Sequence, residues 1–170
     1  MLFRSLLVMP VSAAEIMLAK IISNGIVILL ASTLSLYFIA HLALGMPING
    51  SIALFAAGTA VYLFSVASMA IMLATFTPTM PQFSLLVLPL YLTMIMFSGA
   101  QTSRNNMPQT AQWISEYWPS TQFYQFSQSV VARGGGVEIV WHNLAIMAIT
   151  GALFLGLALV RFRKMLEKQG

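Results

Sequence analysis

The chain of 170 residues contains no cysteine. Disulfides, thiolate nucleophiles and cysteine-held metals are therefore excluded. Aspartate is absent as well, so acidity rests on Glu15, Glu116, Glu138 and Glu167, and the only histidines are His41 and His142. A metal centre or a paired-carboxylate catalyst would have to be assembled from that small set, and nothing in the spacing groups its members. Serines are plentiful, but none stands in sequence with a histidine and an acid as a nucleophile would require. A phosphate-cradling loop ending in Lys-Ser or Lys-Thr is missing, and the run Gly134-Gly135-Gly136 has no lysine after it, so it reads as a helix stop. Charge is also scarce: 7% of residues are charged, against about 25% in soluble domains. From Ile21 to Ser103 there is no Lys, Arg, Asp or Glu at all.

What the chain has in quantity is apolar surface, with 59% of residues hydrophobic. A soluble fold of this size has too little interior to hide so much, whereas lipid can serve as its solvent. The uncharged stretch is several times the ~20 residues that one spanning helix needs. The expectation is an all-α polytopic membrane protein: one transmembrane domain over residues 1–170, with about four spanning helices and short interfacial or re-entrant helices. The first span is expected over 21–44, broken by Gly45-Met46-Pro47-Ile48-Asn49-Gly50, because Gly, Pro and Asn punctuate helices. The second is expected over 52–76, followed by a tight turn at Thr77-Pro78-Thr79-Met80-Pro81. The third covers 82–99 with Pro89 inside it, a kink that a bundle tolerates. The fourth covers 139–160.

The net charge of +4 would suggest nucleic acid in a soluble protein, but here the cations flank hydrophobic segments, and no nucleic-acid partner is expected. Arg4 and Lys20 precede the first span, and Arg161, Arg163, Lys164 and Lys168 follow the last, leaving Arg104 and Arg133 for the other side. Cytoplasmic loops carry the excess of Lys and Arg, so both termini are expected on the cytoplasmic side. Met1 to Lys20 lacks the pattern of a cleaved signal peptide.

Segment 101–138 is then expected on the extracytoplasmic side. It is dense in aromatic residues, among them Trp113, Tyr117, Trp118, Phe123, Tyr124 and Phe126, as suits the headgroup level. Two short helices are expected there. One covers about Gln109 to Tyr117 and stops at Trp118-Pro119. The other runs from about Ser120 or Thr121 to Arg133, with the glycine run supplying a left-handed cap. Phe123, Phe126 and Val130 fall on one face of it.

At the other end, Ser12 followed by Glu15 is a capping box that opens a helix on the cytoplasmic side. The apolar run Leu6-Leu7-Val8-Met9-Pro10-Val11 before it needs cover, either lipid headgroups or a partner protein. Glu15 and Lys20 have two readings each: contact with a partner, or capping for the one and snorkelling for the other. Ala148, Ala152 and Gly156 recur every four residues, a spacing that lets helices pack closely, and packing inside the bundle is the favoured use. Ser23-Asn24-Gly25 are neutral polar or small residues fit to bond a neighbouring helix or line a pathway. The 12 methionines supply adaptable apolar surface.

These residues together resemble a known family. Leu6 to Val11 followed by Glu15-Ile16-Met17-Leu18-Ala19-Lys20 is similar to the cytoplasmic coupling segment of type-2 ABC exporter permeases. Met80-Pro81-Gln82-Phe83, Phe97-Ser98-Gly99, Asn106-Met107-Pro108, Trp118-Pro119-Ser120-Thr121, Arg133-Gly134, Trp141 and the closing Ala158 to Arg163 run also match in order and spacing. The resemblance covers about Leu6 to Arg163. It implies a permease subunit of a bacterial inner membrane, not itself an enzyme, that pairs with a second permease subunit and docks a separate ABC ATPase, which would bind the ATP. The substrate would be drug-like, lipid-like or otherwise hydrophobic. The coupling residues carried onto this chain are Leu7, Val8, Met9, Pro10, Ser12, Glu15 and Lys20, in segment 1–20. Family members have six spanning helices, so this chain resembles the C-terminal portion only, as a fragment or split-gene product would. The residues alone also fit a non-transporting scaffold or assembly protein in the membrane, or an inactive fragment of such a permease.

Overall fold

The computed structural model describes residues 13–43, 45, 49–77, 79–100 and 107–167. Helix α1 covers Ala13–Ser35 and continues as a wider π-helical segment over Leu36–Ala43. Helix α2 is Ile52–Ala74, α3 is Met80–Phe97, α4 is Gln109–Glu116, α5 is Pro119–Ser127 continued by a π-helical segment over Gln128–Ala132, and α6 is Val137–Glu167. No strand occurs among the described residues. Four of the described helices are long and apolar enough to cross a membrane, over Leu18–Ala43, Ile52–Ala74, Met80–Phe97 and Val137–Phe162. Local chemistry sets several of the ends. Ser51 caps α2, its Oγ accepting the Leu54 N–H at 3.4 Å. Pro81 sits in the first turn of α3, where its missing N–H costs nothing. Gly134 follows the second π-helical segment with φ at +67°, the left-handed stop that only glycine reaches freely.

Helix α2 is the hub. It packs along α6 and also touches α1, α3 and α5. The α2–α6 contact is close because Gly151 presents no side chain. A Cβ there would stand 2.9 Å from both the Phe64 ring and the Ser65 Cα. Beside it, the Ser65 and Thr150 hydroxyls share a hydrogen bond of 3.3 Å. Other buried hydroxyls turn back on their own helix. Thr59 Oγ1 donates to the Phe55 carbonyl at 2.8 Å, and Ser68 Oγ to that of Phe64 at 2.7 Å. Small and hydroxylated residues at a helix contact are what lipid-embedded packing uses in place of a hydrophobic drive.

The apolar core lies at the α1–α2 loop end of the bundle, built by Phe55, Phe126, Val130, Val140 and Met147. Helix α5 fills it. The Phe126 ring lies directly over Gly58, which has no Cβ to obstruct it, and Phe126 is fully buried. One turn along α2, the Phe123 ring stacks on Tyr62 with centroids 4.3 Å apart. At its start, α5 closes the end of α3: Ser120 Oγ donates to the Met94 carbonyl at 3.0 Å and Thr121 Oγ1 to the Phe97 carbonyl at 2.6 Å. Phe97 ends α3, and its carbonyl is one of the last in the helix, which lack a partner further along it; the Met94 carbonyl takes the Ser120 hydroxyl in addition to the Ser98 N–H at 3.0 Å. Short helices inserted in this way keep non-spanning backbone covered by protein. Thr121→Val removes one such bond while preserving shape. It is expected to destabilise the folded chain by roughly 1 kcal/mol, since interhelical bonds in membrane proteins are individually modest. Thermal unfolding in detergent micelles checks this.

Pro89 does not break α3, which runs continuously over its 18 residues. The proline has no N–H, but its carbonyl accepts the Thr93 hydroxyl at 2.8 Å.

Candidate functional site

Helices α1, α2 and α3 leave a groove at the end of the bundle opposite the aromatic core. Its volume is about 360 Å³. Lys20, Asn24, Gly25 and Ile28 of α1 form one wall, Ala67, Ala70 and Ala74 of α2 the facing wall, and Phe83 of α3 closes the side. Small residues leave room at part of this junction, beside the larger Leu63, Val66 and Ile71 of α2. Ala67, Ala70 and Ala74 share one face of α2, and a Cβ at Gly25 would meet nothing within 4 Å. A smaller apolar groove of about 220 Å³ continues between α1 and α2, past Ile22 and Ile26 to Ala60 and Phe64. Lys20 and Asn24 bring the polar atoms, and both are exposed. The site is therefore an apolar slot with a cation and an amide at its mouth, suited to binding and conformational change.

Cations gather at this end. Besides Lys20, the Arg161 guanidinium of α6 lies 3.8 Å over the Phe76 ring just past the end of α2. Such a cation–π contact fixes the level of α6 against α2. Arg133 lies at the other end of the bundle, after α5.

Of the coupling residues expected from the sequence, Leu7, Val8, Met9, Pro10 and Ser12 lie outside the described residues. Glu15 stands exposed in the first turn of α1, and Lys20 lies one turn further along, at the mouth of the groove. Ser23-Asn24-Gly25 is brought partly to this site, through Asn24 and Gly25.

The seam expected inside the bundle from Ala148, Ala152 and Gly156 is not formed within this chain's described residues. Ala148 and Ala152 are exposed, and a Cβ at Gly156 would meet nothing within 4 Å. The inward face of α6 carries Val140, Met147, Gly151 and Ala158 instead. One residue of offset turns a side chain by about 100°, so a stripe displaced by one from Met147 and Gly151 points away from α2.

Sequence reasoning missed the α2 wall of the groove. The signal was present in Ala67, Ala70 and Ala74, small residues at helical spacing. Gly58 and Gly151 were likewise legible only as glycines, since what presses on them comes from distant parts of the chain.

The bundle, with an inserted α4–α5 pair and a groove behind the first helix, defines an all-helical polytopic membrane domain. The sequence model of the ABC-2 family transporter protein matches residues 2–160, and the chain belongs to that family. Two curated relatives are inner membrane transport permeases named YhhJ, from Escherichia coli strain K12 and from Shigella flexneri. Each is 48% identical over 160 residues, covering 94% of this chain and 42% of the relative. The chain thus spans less than half the length of the curated relatives it matches. No solved structure matches it.

Proposed function

We propose that this chain forms the C-terminal part of an inner membrane transport permease of the ABC-2 family. Segment 1–20 docks a separate ABC ATPase on the cytoplasmic side, and that ATPase binds and hydrolyses the ATP. The observation that carries the reading is the groove opening directly at Lys20, where the sequence's coupling segment enters α1. Force applied to Glu15 and its neighbours acts on the first turns of α1. The same helix, from Lys20 onward, forms one wall of the groove between α1, α2 and α3, so a small tilt of α1 widens or closes it. Rigid-body shifts of this kind are how packed helices switch between discrete states.

In this reading the 101–138 region is extracytoplasmic, both termini are cytoplasmic, and the substrate is hydrophobic, entering from the apolar slot. The exposed face of Ala148, Ala152 and Gly156 seats a second permease subunit, because small residues at that spacing permit close helix approach. The chain itself is not an enzyme and carries no cofactor.

The test is co-expression of the tagged chain with the ABC ATPase encoded beside its gene, followed by detergent extraction and pull-down. Met9→Asp and Glu15→Lys are each expected to lower the recovered ATPase roughly tenfold, the loss of about 1.4 kcal/mol of binding. Undiminished recovery with both changes would remove the coupling role from this segment.

A further inference from the structure

A second cavity lies at the opposite end, between α5 and α6, with a volume of about 380 Å³. Its described lining is Tyr124, Gln125, Gln128, Ser129, Arg133 and Asn143, every one a polar residue. The cavity is therefore polar throughout its described lining, with an exposed guanidinium at Arg133 and an exposed amide at Gln128.

The frame that presents them is fixed from several directions. Asn143 Nδ2 donates to Gln122 Oε1 at 2.7 Å and to Gln125 Oε1 at 3.3 Å, which joins α6 to α5. The Gln122 side chain is buried and donates in turn to the Glu116 carbonyl, so its amide orientation is set. On the far side, the π-helical segment carrying Gln128 and Ser129 is held at its end by the α1–α2 loop. Asn49 Nδ2 donates to the Ala132 carbonyl at 2.8 Å, and the Asn49 N–H to the Val131 carbonyl at 3.1 Å. The Gly135 N–H takes the Ser129 carbonyl at 2.8 Å. The Ser129, Val131 and Ala132 carbonyls at this helix end are thereby hydrogen-bonded, which holds the segment in place. π-helical insertions of this kind gather at functional sites because the extra residue re-aims side chains.

The chemistry of the cavity selects its ligand. Arg133 offers a guanidinium that pairs with oxyanions, while Gln128, Ser129 and Tyr124 offer amide and hydroxyl groups that both donate and accept. No carboxylate stands among the described lining residues. We infer that this cavity binds a phosphate oxyanion bearing hydroxyl groups, the chemistry shared by a phosphatidylglycerol headgroup and a free phosphate ester. This assignment is independent of ATPase coupling and of the substrate carried.

Isothermal titration of the full purified chain in detergent tests it, with dihexanoyl phosphatidylglycerol, dihexanoyl phosphatidylcholine and inorganic phosphate as separate ligands. Phosphatidylglycerol is expected to bind, and Arg133→Gln to weaken it at least tenfold. Gln128→Leu should weaken it severalfold, and Arg161→Gln at the other end should leave it unchanged. Both tested positions in the cavity are exposed, and unchanged gel-filtration and thermal-unfolding profiles confirm folding in each variant. Binding by inorganic phosphate at similar strength supports the oxyanion site and makes a soluble ester its source; binding by the lipid alone supports it with the headgroup as source. Equal binding of phosphatidylcholine and phosphatidylglycerol, no binding of any phosphate ligand, or an Arg133→Gln variant with parental affinity would overturn the assignment.

Discussion

Replacing Gly58 by leucine is expected to expel α5 from the bundle and to be among the most damaging single changes in this chain. The Phe126 ring occupies the space that a Cβ at Gly58 would need, and Phe126 is fully enclosed with no route of retreat. Overpacking a tight core costs about 1–3 kcal/mol and sometimes more. Here the intruding group meets a rigid ring seated on Phe55, Val130 and Val140, so the effect should reach or pass the upper figure. For a domain of this size that corresponds to a fall in Tm of roughly 6–12 °C. Losing α5 also uncovers the Phe97 carbonyl at the end of α3 and removes the second donor to the Met94 carbonyl, so the damage spreads to a second helix. A double-mutant cycle identifies the cause. Phe126→Leu destabilises the parent by removing core volume, but in the Gly58→Ala background it should cost less, because the smaller side chain makes room. A Gly58→Leu protein with the parental Tm would show that α5 does not pack as described.

The second large effect is expected at Gly151. Leucine there would drive into the Phe64 ring and the Ser65 backbone, and the Ser65 Cα, unlike a side chain, cannot rotate aside. Helices α2 and α6 must then separate along the contact that organises the bundle, breaking the Ser65–Thr150 hydrogen bond as they do. A loss of about 3 kcal/mol or more is expected, read as reduced thermal stability and poor monodispersity in detergent. Ala152→Leu, one position along, is the informative companion. Ala152 is exposed, so leucine there should leave the Tm of the isolated chain unchanged. If the exposed face of α6 seats a second subunit, the same change should instead reduce crosslinked dimer in the membrane. Equal loss of stability from both variants would contradict the assignment of faces on α6.

The places where sequence and structure part company share one physical feature. Composition makes the membrane legible, because a long uncharged apolar stretch has only one solvent that suits it. Breaks in the chain are equally visible where Gly, Pro and Asn carry the turn, as at Asn49-Gly50 and Gly134. The inward set of α5, Phe123, Phe126 and Val130, follows from helical spacing on a short amphipathic segment. Spans offer no such guide. In α6 nearly every position is apolar, so amphipathicity cannot say which face looks at α2, and the small-residue stripe at Ala148, Ala152 and Gly156 is as good a candidate as the Met147–Gly151 face. Contact partners decide between them. The same holds for the groove, where Ala67, Ala70 and Ala74 are ordinary alanines until Lys20, Gly25 and Phe83 stand opposite.

By itself the sequence determined the solvent, the helical class, the number of spans and, through its motifs, the family. All of these depend on composition or on residues near one another along the chain, where backbone sterics and hydropathy act directly. Only the tertiary structure decided that α2 is the hub, that Gly58 and Gly151 are points of closest approach, and that two cavities of opposite character lie at the two ends. Those outcomes depend on which distant side chains meet. In an apolar chain many pairings bury similar surface, so the choice among them rests on shape and on a few hydrogen bonds such as Thr121 to Phe97 and Asn143 to Gln122.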